Sequence, residues 1–146
     1  MPFVRISLRG DVTDRQLSAI SDAVHHAMVQ TFNVPPKDRF QLLTRHTSQE
    51  LVCAPEYLDI AHGERVALIQ ITCNEGRTTD MKKALFARLA KSVAEAGALA
   101  VADVIVNLVE VKKENWSFGN GIAQYAAETV GSFDAFPSSP PREGKS

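Results

Sequence analysis

The same order of predicted secondary structure occurs twice along this 146-residue chain, and this repetition limits the possible folds more than any other feature. Asp14 and Asp80 each lie in the first turn of a predicted helix, 66 positions apart. Asp38 and Asp103 each precede a predicted strand, 65 positions apart. A repeat of this length that contains strand, helix and strand predicts a duplicated β-α-β unit.

The first unit spans about residues 2–45. Its opening strand is indicated by apolar residues that alternate with polar ones, the pattern of a strand with one buried face. The segment Thr13-Asp14-Arg15-Gln16 fits a capping box at the start of a helix. Asn33 and the Pro35-Pro36 pair end that helix, and the alternation from Phe40 onwards predicts the second strand.

The second unit spans about residues 66–110. Val66–Thr72 is predicted as a strand, and the helix that follows Thr78-Thr79 carries an apolar face and ends at Gly97. The last strand, Val104–Val109, is so apolar that a central position in the sheet is predicted for it. Residues 46–65, between the units, are predicted to be a long connection with at most short structure.

Two such units predict an α/β (α+β) fold. Each unit is expected to make a right-handed crossover between parallel strands, so together they form a four-stranded sheet with both helices on one face. The other face then needs a cover, and oligomerisation is the simplest one. One domain is predicted over residues 1–131, including an aromatic segment after the second unit, and residues 132–146 read as a flexible tail rich in proline and serine.

Composition excludes several classes of function. The net charge of −1 implies no bulk attraction to nucleic acid or to an anionic membrane. No apolar run reaches the length of a membrane-spanning helix. Cys53 and Cys73 belong to no CxxC motif and are interpreted as reduced thiols of a cytoplasmic protein. The four histidines do not have the spacing of zinc ligands, so no metal site is predicted.

Pro2 directly follows the initiator methionine, and removal of Met1 is expected because proline is small. The product carries a free secondary amine at the end of a strand that is anchored in a sheet. An α-amino group titrates close to neutral pH, so modest desolvation makes it a base under physiological conditions. The alternative is that Pro2 is merely a common second residue.

Several features together resemble the tautomerase superfamily, in particular the branch that contains malonate semialdehyde decarboxylase. They are Pro2 before a strand, the doubled β-α-β unit, the run Pro35-Pro36-Lys37-Asp38-Arg39-Phe40, and the run Trp116-Ser117-Phe118-Gly119. The resemblance covers about residues 2–130. It implies a homotrimer without a cofactor, with active sites near subunit boundaries.

The resemblance also implies roles for individual residues. Pro2 is the catalytic group, a general base in tautomerases and a protonated acid or imine-forming amine in the decarboxylase. Asp38 matches the carboxylate near the proline, and Arg77 matches one of two arginines that bind the substrate carboxylate. The apolar wall is matched by Trp116, Phe118 and Tyr125. Arg39 is either a second contact to the anion or a surface arginine.

Glu75 departs from the decarboxylase pattern, because it stands where the other arginine is expected. It either stabilises the ammonium form of Pro2 or pairs with Arg77 and weakens substrate binding. The leading hypothesis is therefore an isomerase that acts on 2-oxo or 2-hydroxy-enoic acids. The alternatives are a lyase that decarboxylates a β-oxo acid or hydrates an unsaturated acid, and a non-enzymatic trimeric binding protein.

Overall fold

The computed structural model describes residues 2–126. The chain divides into two compact units, one ending at Val111 and the other beginning at Lys112. The tail predicted over residues 132–146, and the last residues of the domain predicted over 1–131, lie outside the described residues. In the described part, neither helix is long and apolar enough to cross a membrane.

Both predicted β-α-β units are present in the first compact unit. The first consists of β1, α1 and β2, and the second of β5, α2 and β6. The connection between the two units contains a hairpin of two short strands, β3 and β4, each two residues long. The bounds are β1 Phe3–Arg9, α1 Asp14–Phe32, β2 Phe40–His46, β3 Glu56–Tyr57, β4 Ile60–Ala61, β5 Val66–Asn74, α2 Thr79–Gly97 and β6 Val104–Val111.

The four long strands form one sheet in the order β2-β1-β5-β6. Within each unit the two strands are parallel, and the units meet where β1 runs antiparallel to β5. The register places Val4 opposite Ile71 and Ile6 opposite Ile69. The predicted α+β fold, with a mixed four-stranded sheet and two helices, is confirmed.

The core lies between one face of the sheet and the two helices. Alternate residues of β1 and β5 point into it, and the helices contribute residues spaced three or four apart, so the sequence periodicity maps directly onto burial. The fully buried members with the largest side chains are Ile6, Leu8, Ile20, Met28, Ile69, Ile71, Leu85 and Leu89.

Helix α1 begins with the predicted capping box: the Thr13 hydroxyl accepts from the Gln16 N–H at 3.1 Å, and the Thr13 N–H donates to the Gln16 side chain at 3.0 Å. Asn33 ends α1 in the left-handed conformation. The prediction that α2 ends at Gly97 is confirmed: Gly97 is the last helical residue, and Ala98 adopts the left-handed cap. Gly97 is explained by packing: an added Cβ would lie 2.9 Å from the Ile20 side chain.

Strand β6 is an edge strand, so the central position predicted for it was wrong. Val104, Val106 and Leu108 pack against the core. The apolar residues between them, such as Ile105 and Val109, lie on the opposite face of the sheet, beside Leu68 and Thr72 of β5. The continuous apolar run of β6 thus reflects a strand that is apolar on both faces, rather than a strand that is hydrogen-bonded to a neighbouring strand on each side.

The outer face of the sheet carries apolar side chains that no helix covers. Leu42 is 50% exposed and Phe40 is 45% exposed, both on β2. The other members are Phe3, Leu68 and Val109, and polar residues such as Arg5 and Gln70 lie among them. An exposed apolar face of this kind on a small domain marks an interaction surface.

Candidate active site

Pro2 lies at one end of the sheet and is buried. The next residue, Phe3, is paired with Phe40 of β2 and with Thr72 of β5. This end of the sheet therefore brings together the start of β1, the start of β2 and the end of β5. The loop from β5 into α2 begins at the same end, because β5 runs antiparallel to β1.

Arg77 lies in that loop, directly before Thr78, the N-cap of α2. Its Nη1 donates to the Asn74 carbonyl at 3.1 Å, and its Nη2 donates to the Phe32 carbonyl at 3.5 Å. The guanidinium carbon lies 5.1 Å from the centroid of the Phe32 ring. These contacts hold the guanidinium between the ends of β5 and α1 and leave other N–H donors for a ligand. The N-terminal amides of α2 add to the attraction for an anion.

Asp38 is half-buried at the start of β2, and its N–H donates to the Pro35 carbonyl at 2.9 Å. The turn is held to α1 by His25, whose Nε2 lies 2.8 Å from the Pro36 carbonyl. Among residues 2–126 the Asp38 carboxylate has no hydrogen bond or ion pair. It is thus a carboxylate near Pro2 in the fold that no structural contact occupies.

Arg39 is bonded to α1. Its Nη2 donates to Asp22 at 2.7 Å and to the Ser21 hydroxyl at 2.6 Å. Of the two interpretations of Arg39, this geometry favours the surface arginine, because its guanidinium already has a carboxylate partner.

Glu75 is exposed, and its N–H donates to the Val111 carbonyl at 3.0 Å, which extends the pairing of β5 with β6. In the described part of the chain no ion pair joins Glu75 to Arg77. The carboxylate coupled to this region is instead Glu110, which pairs with Lys82. Lys82, followed by the Gly76 N–H and the charge of Arg77, lowers the pKa of Glu110.

Cys73 lies opposite Glu110 in the sheet. Burial raises the pKa of the Cys73 thiol, and the positive charge of Arg77 partly opposes this effect. Sequence reasoning missed Lys82 and Glu110. One signal was available: a lysine near the start of a helix is unfavourable for the helix dipole, so it calls for a partner elsewhere.

The predicted aromatic wall lies in the second compact unit, and three of its rings form one cluster. The Trp116 and Phe118 rings stack with centroids 5.3 Å apart, and the Phe118 and Tyr125 rings meet edge to face at 5.5 Å. The Phe118 N–H donates to the Gln124 side chain at 2.9 Å. The three residues that the sequence grouped as one wall are thus grouped in space.

Comparison with known proteins identifies the family. Two family models, both described as "Tautomerase enzyme", match the chain over residues 2–59 and 38–119. The Bacillus subtilis protein "Probable tautomerase YusQ" is 35% identical over 124 residues, which cover 85% of this chain and 98% of that one. The "2-hydroxymuconate tautomerase" of Pseudomonas putida is 40% identical over 62 residues, 42% of this chain and 92% of that one.

Among solved structures, a malonate semialdehyde decarboxylase inhibited by 3-bromopropiolate superposes with a TM-score of 0.80 at 35% identity. The match covers 92% of this chain and 99% of that one. The resemblance to the tautomerase superfamily that was identified from the sequence is therefore confirmed, and a malonate semialdehyde decarboxylase is among the structural neighbours. One of the two family models matches residues 38–119, which is more than half of this chain. This chain therefore belongs to the tautomerase superfamily of enzymes.

Proposed function

We propose that this enzyme is a cofactor-free tautomerase in which Pro2, freed by removal of Met1, is the general base. The substrates are 2-hydroxy-enoic and 2-oxo acids such as phenylenolpyruvate. The observation that carries the proposal is the position of Pro2: it is buried at the same end of the sheet as the Arg77 guanidinium and the N-terminus of α2. A base and an anion-binding group at one end of the sheet are what proton transfer in an enolic acid requires.

The proposed reaction moves one proton. Arg77 binds the substrate carboxylate with a charge-assisted hydrogen bond. The Pro2 amine accepts the proton of the 2-hydroxyl group, the C2–O bond becomes a carbonyl, and the C2=C3 electrons take up a proton at C3 from the Pro2 ammonium. The Asp38 carboxylate favours the ammonium form between the two transfers.

We further propose that the enzyme is a homotrimer. The apolar outer face of the sheet supports this, because Phe40 and Leu42 of β2 are half-exposed on a surface that no helix covers. Light scattering during size-exclusion chromatography measures the mass of the assembly. A Leu42→Glu variant is expected to shift the mass towards the monomer; a native protein that is monomeric at micromolar concentration would contradict the proposal.

The experiment that tests the role of Pro2 combines intact mass measurement with ketonisation of phenylenolpyruvate. The mature protein is expected to lack Met1. Pro2→Ala is expected to lower kcat/KM by roughly 10²–10⁴-fold, the usual contribution of a general base. Pro55→Ala, in the connection before β3, is the matched control and is expected to keep full activity. Retained Met1, or full activity of Pro2→Ala, would remove the catalytic role from this residue.

A second candidate function is decarboxylation of malonate semialdehyde, or hydration at the same site. The identity of 35% to a malonate semialdehyde decarboxylase favours it. Glu75 opposes it, because the transition state of decarboxylation gains from positive charge near the β-carbonyl. We therefore expect tautomerisation to exceed decarboxylation in the native enzyme.

The ratio of the two activities, compared at one pH in the native enzyme and in Glu75→Arg, distinguishes these candidates. Glu75→Arg is expected to shift the ratio towards decarboxylation. Glu75→Gln, which removes the charge without reversing it, is expected to give an intermediate ratio. Efficient decarboxylation by the native enzyme would make the second candidate the better one.

A further inference from the structure

The ion pair of Lys82 with Glu110 lies beside the loop that carries Arg77. Lys82 is the fourth residue of α2, and Glu110 is near the end of β6. Their side chains are 28% and 33% exposed, respectively, so water screens the pair less than one on the open surface. Because a lysine at a helix N-terminus opposes the helix dipole, the helix itself gives no reason for this residue.

The same carboxylate faces the loop backbone. The Gly76 N–H stabilises the charged form of Glu110 and contributes to lowering its pKa. One residue earlier in the loop, the Glu75 N–H donates to the Val111 carbonyl at 3.0 Å. The end of β6 thus holds the chain on both sides of Arg77, through the Glu75 N–H bond before it and through the ion pair of Glu110 with Lys82 in the first turn of α2 after it.

This arrangement fixes where the guanidinium can be. The Arg77 guanidinium donates hydrogen bonds to the Asn74 and Phe32 carbonyls, at 3.1 and 3.5 Å. Gly76 has a φ of +120° and no side chain that could hold the loop, and even an added Cβ would meet nothing within 4 Å. The loop therefore needs an external partner, and Glu110, fixed by Lys82, is that partner.

We propose that Glu110, paired with Lys82, is a positioning residue that holds the Glu75–Arg77 loop and thereby sets the affinity of Arg77 for the substrate carboxylate. The inference rests on the proposed function of Arg77 in binding that carboxylate. Glu110 itself touches no reacting atom in this scheme. It acts through the backbone of the loop.

Kinetics of Glu110→Gln on phenylenolpyruvate and on its methyl ester test the proposal. The KM for the acid is expected to rise about ten-fold with kcat within about two-fold, since displacement of a binding group by ~1 Å costs up to roughly 100-fold. The ester, which offers no carboxylate to Arg77, is expected to be converted as by the native enzyme. Lys82→Met is expected to raise the KM for the acid as well, because the freed Glu110 then competes for Arg77.

The matched control is Asp14→Asn, which breaks the ion pair between Asp14 of α1 and Arg45 of β2, 2.6 Å apart, at the other end of the sheet. It is expected to leave both substrates unaffected. Three results would overturn the proposal. They are an unchanged KM for the acid, a lower KM as expected if Glu110 only weakened the positive potential, and equal losses on acid and ester as expected from general damage.

A readout without turnover separates this inference from the proposed function. The Arg77 Nε–H resonance and the hydrogen exchange of the Glu75 and Gly76 amides report the loop directly. Glu110→Gln is expected to shift the resonance and accelerate the exchange, and Asp14→Asn to do neither. If the native protein converts no enolic acid, the proposed function fails, whereas unchanged resonance and exchange in Glu110→Gln would reject the positioning role.

Discussion

The two β-α-β halves of the sheet have the same plan but equip the two ends of the sheet differently. Residues at an offset of 65 take equivalent places, so Thr13 and Thr78 cap the two helices and Asn33 and Ala98 end them in the left-handed conformation. Because β1 and β5 are antiparallel, the start of β1 and the N-terminus of α2 lie at one end. The first half supplies that end with Pro2, and the second half supplies it with Arg77 and the N-terminus of α2.

Each half has an ion pair between its helix and its second strand, with the charges exchanged. Asp14 and Arg45 join α1 to β2, and Lys82 and Glu110 join α2 to β6 with the signs reversed. Arg45 and Glu110 are separated by the same offset of 65. In the first half the acid is on the helix, where the dipole favours it; in the second half it is on the strand. The reversal places a carboxylate beside the loop of Arg77.

Two arginines give the largest expected contrast. Arg77 donates to the carbonyl of Phe32, the last residue of α1, and Arg65 donates to the carbonyl of Gly97, the last residue of α2, at 2.9 Å. Arg77→Ala is expected to cost acid substrates on the order of 1.5–3 kcal/mol of binding free energy. Steady-state kinetics with acid and ester measure this loss.

Arg65→Ala is the control for that contrast and is expected to lower the free energy of unfolding without changing the preference for acids. Equal losses on acid and ester in Arg77→Ala would assign Arg77 the same structural role as Arg65.

Asp103 and Asp38 give the next contrast. Each N–H donates to the carbonyl three residues earlier, at 3.0 and 2.9 Å. The Asp103 carboxylate also accepts from the Gly63 N–H at 2.7 Å, and no comparable bond occupies Asp38 in the described residues. Asp103→Ala is expected to lower the free energy of unfolding by about 1–3 kcal/mol, because it removes a charged acceptor. Urea denaturation measures the change.

Asp38→Ala is expected to leave stability nearly unchanged and to lower kcat. If Asp38→Ala destabilised the protein as much as Asp103→Ala, the two aspartates would share a structural function and the assignment of Asp38 to catalysis would lose its basis.

A smaller effect on stability is expected at Gly97, which ends α2 as Phe32 ends α1. Gly97→Ala places a Cβ 2.9 Å from the Ile20 side chain. The cost of overpacking exceeds the gain in helix propensity, so a net loss of about 1 kcal/mol in the free energy of unfolding is expected. Gly97→Ala combined with Ile20→Val, which relieves the contact, is expected to recover part of the loss. Thermal unfolding of the three proteins checks this.

The smallest effect concerns acid stability. The pKa of Glu110 is lowered in the folded state, chiefly by Lys82. Its stabilisation is therefore complete above the ordinary carboxyl pKa and is lost as the pH falls through the lowered folded value. The difference in stability between the native protein and Glu110→Gln is expected to vanish in that acid range, whereas a constant difference down to low pH would point to a contact that does not depend on charge.

The sequence predicts the fold well because period and capping are local signals. Val4, Ile6 and Leu8 mark a buried face without knowledge of any neighbour, and Thr13 with Gln16 starts a helix by itself. Strand order is not local, which is why β6 was predicted as central when it is an edge strand. The end of α2 at Gly97 was predicted, but the packing of Gly97 against Ile20 of the other helix is not local and was not predicted.

The site is only partly readable from the sequence. Pro2, Asp38 and Arg77 were predicted through the family resemblance, and the fold brings the segments that carry them to one end of the sheet. Lys82 and Glu110 are separated by most of α2 and β6, and only the folded structure shows that their side chains meet. Arg39 was considered as an anion contact because the local sequence does not reveal its carboxylate partner. That partner is Asp22, 17 residues earlier on α1.

The antiparallel junction of β1 with β5 has a consequence for the order of folding. It pairs residues 3–9 with residues 66–72, so the centre of the sheet closes across the longest sequence separation of any strand pair in it. Each β-α-β half closes over a shorter stretch and at a lower cost in chain entropy. We therefore expect the halves to gain structure first and the centre of the sheet to form last. Pro2 then reaches its buried position only in the final step, so the residue that we propose as the base is in place only when folding is complete.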